Sequence, residues 1–173
     1  MLFRSLAAQA GRQVASCLAL TPEYQRCRRI VVYAELPDEL PLTHVVSLGQ
    51  ADGKGLLFPR MLPGSRLALS RVDRSEDLRP GRYGVREPPS DAPVAGLGPD
   101  VLVLVPGVAF DDRGGRLGRG AGVWDRVLAE RRGAAVFGVG FELQVAPRLP
   151  REEHDQPIDA LLTEVGIRRF PRP

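Results

Sequence analysis

Lysine is almost absent from this 173-residue chain: Lys54 stands alone beside the arginines that carry nearly all of its positive charge. Histidine and cysteine number two each. Cys17 and Cys27 have no CxxC spacing and no neighbouring histidine pair, which argues against a zinc site or a disulfide framework and reads both as small core hydrophobes. No run approaches the roughly 18 apolar residues of a membrane helix, and residues 1–20 lack the apolar block and cleavage site of a secretory signal. A cytoplasmic protein with no membrane partner is expected. Aromatic residues make up only 6% of the chain and do not interleave with the arginines, and no RNA-recognition signature is present, so nucleic acid is not an expected partner.

What remains is an ordinary globular composition, 43% hydrophobic and 26% charged with a formal net charge of +3. The length fits a single domain over residues 1–173, without internal repeats, that buries about two-thirds of the surface of its unfolded form.

Leu6, Ala10, Val14 and Cys17 follow helical spacing and predict an amphipathic first helix. Thr21 and Pro22 suit the cap and first turn of a short second one. A β-branched strand is expected over 28–33, an acidic, proline-bearing loop over 35–41, and a helix from Thr43 closed near Gly53. Residues 56–58 read as a strand stopped by Pro59, and 66–72 as a half-exposed alternating strand. The Pro- and Gly-rich stretch 80–99 reads as a long surface loop. Residues 100–105 are apolar on both faces, as a central parallel strand is. A helix over 125–131 stopped by Gly133, strands over 134–141 and 158–163, and a frayed, disordered tail over 168–173 complete the pattern. The alternation predicts a three-layer α/β fold.

In such folds ligands sit beyond the C-terminal ends of the strands, which directs attention to the segment after the central strand. There Gly114, Gly115, Gly118, Gly120 and Gly122 surround Arg116 and Arg119. Glycines allow positive φ and close backbone approach, while successive amides and a helix start near Gly122 favour an anion. The loop is neither a Walker A motif nor a dinucleotide fingerprint; by composition it is a phosphate-loop candidate, with a flexible arginine- and glycine-rich surface loop as the alternative.

The same segment resembles the signature of the 5-formyltetrahydrofolate cyclo-ligase family, also called methenyltetrahydrofolate synthetases. The resemblance rests on Phe110-Asp111, Gly114, Arg116-Leu117-Gly118-Arg119-Gly120, Gly122 and Asp125-Arg126. It extends to Glu23-Tyr24-Gln25 with 28–30, Asp38-Glu39, Gly53-Lys54 before 57–60, 83–88, His154-Asp155 and Asp159, covering about 21–164.

The resemblance implies a mostly parallel, Rossmann-like sheet of the CoA-transferase type and a ligase forming a C–N bond. It implies an ATP- and Mg²⁺-dependent closure of 5-formyltetrahydrofolate to 5,10-methenyltetrahydrofolate by a monomer acting on a reduced folate. ATP binding falls to Arg116, Leu117, Gly118, Arg119, Gly120, Ala121, Gly122, Val123 and Trp124. Substrate binding falls to Ala34 and Glu39 with Arg119, Gly120, Ala121, Gly122 and Val123. Arg119 and Asp125 are the expected catalytic residues, and Asp125 and Asp155 the magnesium acids. A carboxylate at position 39 can accept two hydrogen bonds from a pterin. Glu87 and Lys54 are expected to close or charge the folate side, and His154 to order its loop.

Three departures from the family pattern stand out. A first helix shortened relative to the family is expected, with Arg4 and Arg12 in no obvious equivalent of the Lys and Arg that reach the phosphates in relatives; the usual pair of tyrosines is Val123 and Trp124; and Ala121 replaces a frequent glycine. They leave open an alternative, a folate- or nucleotide-binding paralogue with weak or no cyclo-ligase activity.

Overall fold

The computed structural model describes residues 2–81 and 84–171, with side chains from Ser5 onward. Tyr83, one of the residues behind the family resemblance, lies outside them, as do Arg172 and Pro173.

Helix α1 (Leu2–Ala19) is followed by α2 (Pro22–Arg26), whose cap is Thr21: the Tyr24 N–H donates to Thr21 Oγ1 at 3.3 Å. The buried stripe of α1 runs through Ala10, Val14 and Leu18, while Leu6 is exposed and Cys17 half-buried. The seam thus follows the i, i+4 row rather than the one expected through Cys17, because that row is the one turned toward the rest of the core.

Seven strands form the main sheet, in the order β12-β11-β9-β6-β1-β2-β3. They are β1 (Arg29–Val31), β2 (Gly55–Leu62), β3 (Arg66–Arg71), β6 (Val101–Val105), β9 (Ala135–Val139), β11 (Ala160–Thr163) and β12 (Gly166–Arg169). The five inner strands are parallel, and β3 and β12 close the two edges antiparallel. Every residue of β6 is buried and the strand lies in mid-sheet, as its unbroken apolar run predicts.

Pro59 does not stop β2. The strand runs on to Leu62, paired with β3, while β1 ends opposite Leu57. The Leu57 carbonyl accepts from Val32 N–H on the β1 side. The next backbone nitrogen facing that way is Pro59, where the neighbouring strand has ended and no donor is needed. The expected tail is corrected likewise: Arg168 and Arg169 are strand residues, paired with Leu161 and Ala160, and Phe170 N–H donates to Asp159 O.

Helices α1 and α3 (Thr43–Ala51) cover one face of the sheet, where Val14, Leu18 and Val45 pack in one cluster with Ile30, Val32 and Leu56. On the other face Val31, Leu57 and Val103 join Leu128 of α4 (Val123–Leu128) and Phe110. Each fully buried side chain of this size contributes about 1.5–3 kcal/mol relative to exposure. Helix α4 starts two residues before the expected 125, at the left-handed Gly122 (φ 58°), and ends at Leu128 because Glu130 and Arg131 N–H groups bond three residues back, tightening the last turn.

The stretch 80–99 is not wholly loop: β4 (Arg79–Pro80) and β5 (Arg86–Glu87) pair as a short ribbon. A second small sheet has the order β10-β7-β8, from β7 (Ala109–Asp111), β8 (Arg116–Leu117) and β10 (Val145–Ala146). It is anchored by Phe110, which is fully buried against glycines: a Cβ added to Gly107, Gly138 or Gly140 would come within 2.7 Å of its ring. Gly138→Ala is therefore expected to displace Phe110 and cost about 1–3 kcal/mol in urea denaturation; an unchanged midpoint and slope would refute this packing of Phe110 on glycine.

Candidate active site

The order in which strands join the sheet reverses between β1 and β6: the chain goes from β1 to β2 on one side, then to β6, β9 and β11 on the other. Loops leaving two such strands diverge and open a crevice at their C-terminal ends. A cavity of about 490 Å³ lies there, lined by Tyr33 and Ala34 after β1 and by Pro106 and Gly107 after β6.

Many of the residues singled out by sequence converge on it. Ala34 and Glu39 line it from the loop after β1; Arg116, Gly118 and Arg119 come from β8 and the turn beyond it, and 121–125 from the start of α4. Leu117 does not line it, because its side chain points outward and is 41% exposed, and neither Gly120 nor Asp155 is among the lining residues. Glu87 does line the cavity. Lys54 does not: it precedes β2, at the other end of the strand, and donates to Cys27 O at 2.8 Å while lying over the Tyr24 ring.

Two of the five loop glycines serve close approach rather than positive φ. A Cβ on Gly115 would meet the Asp111 carboxylate at 2.5 Å, and one on Gly118 would lie 3.1 Å from Arg116 Nη1. Gly120 and Gly122 do take the left-handed region, which lets the chain turn from β8 into α4.

Two ion pairs border the cavity. Arg116, whose side chain is 2% exposed, donates from Nη2 to Asp125 Oδ2 at 2.9 Å. The other Asp125 oxygen accepts the Gln156 N–H at 3.1 Å, which brings the segment carrying Asp155 to the base of α4. Asp155 itself accepts the Glu152 N–H at 2.8 Å, and the exposed His154 stands 3.5 Å from Glu152. Among the described residues no group of three or more His, Cys, Asp or Glu could hold a metal ion. Arg119 Nη2 lies 2.9 and 2.8 Å from the two carboxylate oxygens of Asp38. Glu39 accepts Leu36 N–H at 2.9 Å. Its carboxyl lies above its usual value chiefly because burial disfavours the charge; the Leu36 bond and Arg119 pull the other way, and Asp38 and Glu35 add to the rise.

Sequence reasoning missed the apolar walls. Tyr33, Pro59, Met61, Leu67 and Val108 line the cavity, and their only signal was position near strand ends. It also missed two organisers. Asp111 accepts the N–H groups of Arg113, Gly115 and Leu149; the glycines three and four residues on were the available clue. Gln144 donates to the carbonyls of Gly107 and Val108 and so holds the chain leaving β6.

A parallel sheet with its crevice at the reversal point, edged by an arginine- and glycine-rich loop, defines a three-layer α/β protein with a cleft at the C-terminal ends of its strands. The chain belongs to the 5-formyltetrahydrofolate cyclo-ligase family, whose sequence model matches residues 3–164, and it is a ligase. It is 31% identical over 164 residues to the 5-formyltetrahydrofolate cyclo-ligase of Escherichia coli K12, a match covering 90% of this chain and 88% of that one. The solution structure of the 5,10-methenyltetrahydrofolate synthetase of Aquifex aeolicus superposes with a TM-score of 0.79 at 34% identity, over 94% of this chain and 82% of that one. The Mycoplasma pneumoniae synthetase, 14% identical with a TM-score of 0.71 over 91% of this chain and 87% of that one, shares the fold.

Arg116→Met leaves the Asp125 carboxylate buried without its cation and is expected to lower stability by about 3–5 kcal/mol; a loss below about 1 kcal/mol, the range of exposed pairs, would count against it. Asp111 supplies a pH test. Burial alone would raise its carboxyl, but the bonds from Leu149, Gly115 and Arg113 outweigh it and hold it below the usual value. Its contribution is then complete above about pH 4 and lost as pH falls through the lowered value. Asp111→Asn should flatten the acid limb of a stability-against-pH curve, and an unaltered limb would contradict the assignment.

Proposed function

We propose that this chain closes 5-formyltetrahydrofolate to 5,10-methenyltetrahydrofolate with ATP and Mg²⁺, as a cytoplasmic monomer. The observation that carries the reading is one cavity with the Arg119 loop on one side and the half-buried Glu39 on the other. Family membership supports the same reaction.

The chemistry needs an amide-like oxygen made into a leaving group. The formyl oxygen attacks the γ-phosphorus and ADP departs; the N10 amine then attacks the formyl carbon, loses its proton, and phosphate leaves with the oxygen. Phosphoryl transfer depends mainly on positioning and on charge stabilisation. Arg119 and the backbone of 118–123 would meet the phosphates, with the N-terminal end of α4 beneath them. Arg116 Nε, a buried donor without a partner, offers one further hydrogen bond to a phosphate oxygen. Arg116 also keeps Asp125 from swinging away.

Glu39 would accept hydrogen bonds from the pterin amino and ring N–H groups, with Ala34 beside it. Trp124, half-buried and packed against both core clusters, offers an edge of indole to a flat ring. The donor set suits magnesium: Asp125 and Asp155 provide hard oxygens, and this ion commonly takes only one or two carboxylates, with water and phosphate as its other ligands. Held there, it would neutralise charge on the polyphosphate.

The test is absorbance of methenyltetrahydrofolate with and without ATP and Mg²⁺. Formation that needs both supports the reading. Tight folate binding without turnover would overturn it in favour of a binding paralogue. Because Glu39 must be ionised to accept these bonds, folate affinity is expected to rise with pH through its raised pKa. Glu39→Gln should abolish that dependence and weaken folate binding about tenfold to a hundredfold, as loss of a hydrogen bond to a charged group does; wild-type affinity in the variant would exclude this role.

A further inference from the structure

Asp38 has no place in the reaction proposed above, yet it holds the cation on which that reaction most depends. Arg119 and Asp38 are 81 residues apart, and their pairing bridges the two loops that flank the cavity. Leu36 and Glu39 on one side of the bridge, and Gly118 and Ala121 on the other, line the cavity directly. From this juxtaposition we propose that Asp38 is a positioning residue that parks Arg119 across the cavity mouth and yields it to an incoming polyphosphate.

Three observations support a contact built to exchange. The pair is exposed, with side-chain exposures of 52% and 69%, so water and salt screen it and it is broken at little cost. Both Asp38 oxygens bond one guanidinium nitrogen, Nη2, rather than forming the two-nitrogen fork that makes arginine–carboxylate pairs strong. Arg119 is followed by Gly120 at φ +89°, where an added Cβ would meet nothing within 4 Å, so the chain beside the guanidinium is uncrowded. Arg116 is the opposite case: its guanidinium is buried on Asp125 and cannot leave cheaply. Of the two loop arginines, only Arg119 is therefore available for exchange.

Arg119 already lies close enough to Glu39 to favour its charged form, while Asp38 disfavours it. With Asp38 holding Arg119, the guanidinium stays off Glu39 and the floor remains open to the flat ligand. When a polyphosphate competes successfully, Arg119 moves to it and the bridge between the loops opens. The role rests on the proposed nucleotide reaction only for the identity of its anion, and any polyphosphate would serve.

The experiment is calorimetric titration of the full chain with MgATP and, separately, with inorganic tripolyphosphate, at low and moderate salt. Asp38→Asn is expected to bind both about twofold to fivefold more tightly, the range of one exposed ion pair. Asp38→Glu should restore wild-type values. In an Arg119→Gln background the Asp38→Asn effect should vanish. In steady-state assays the variant should lower the KM for ATP without lowering kcat. Weaker or unchanged anion binding by Asp38→Asn, or the same gain without Arg119, overturns the proposal. Tripolyphosphate binding that responds to Asp38 in a protein with no cyclo-ligase turnover would sustain it while refuting the proposed reaction. A wild-type chain that binds neither anion would overturn it.

Discussion

The site is organised by the buried pairing of Arg116 with Asp125. Arg116 belongs to a strand of the small sheet and Asp125 to the first turn of α4, so the pair ties together the two ends of the loop that carries Gly118, Arg119 and Gly122. Removing two charges from water is costly, and the arrangement is tolerated because the opposite charges offset each other and Gln156 N–H donates to the second carboxylate oxygen. That last bond also recruits the distant segment bearing Asp155. A single ionic contact therefore sets the loop's ends, the start of the helix and the approach of a second acid.

Beneath it the small sheet is held by shape. Phe110 lies against Gly107, Gly138 and Gly140, and Asp111 gathers three backbone amides around its carboxylate. An aromatic ring and an acid, adjacent in sequence, thus face opposite demands: one requires that neighbours have no side chain, the other that neighbours present N–H groups. Glycine meets both, at 138 and 140 for the ring and at 115 for the acid. Many of the chain's glycines near the site are explained by space rather than by flexibility.

The two loop arginines illustrate how burial divides similar residues into different tasks. Arg116 is enclosed and fixed; Arg119 is exposed, bonded through one nitrogen and followed by the left-handed Gly120 and Gly122. In the proposed phosphoryl transfer Arg116 would serve as a fixed frame and Arg119 as the cation within reach of the anion.

Much of this was legible in the residues. The apolar run at 101–105 requires a central strand, the alternation of strands and helices requires an α/β fold, and the crowding of glycine and arginine at 114–122 marks a loop able to meet an anion. These follow from local rules of burial, spacing and backbone freedom. Pro59 inside β2, the strand at Arg168 and Arg169, the displaced stripe of α1 and the outward Leu117 did not follow, because each depends on which neighbour is present or missing across the sheet or core. The crevice itself is of the same kind: it exists because the strand order reverses between β1 and β6, a relation between strands whose paired residues, such as Arg29 and Val101, are distant in sequence and which no local spacing encodes. The sequence alone determined which residues were chemically equipped for the site, since charge, hydrogen-bonding capacity and permitted φ are properties of single residues. Only the tertiary structure decided that Arg116 would be locked to Asp125 and Arg119 left within reach of exchange, since burial is a property of the whole fold.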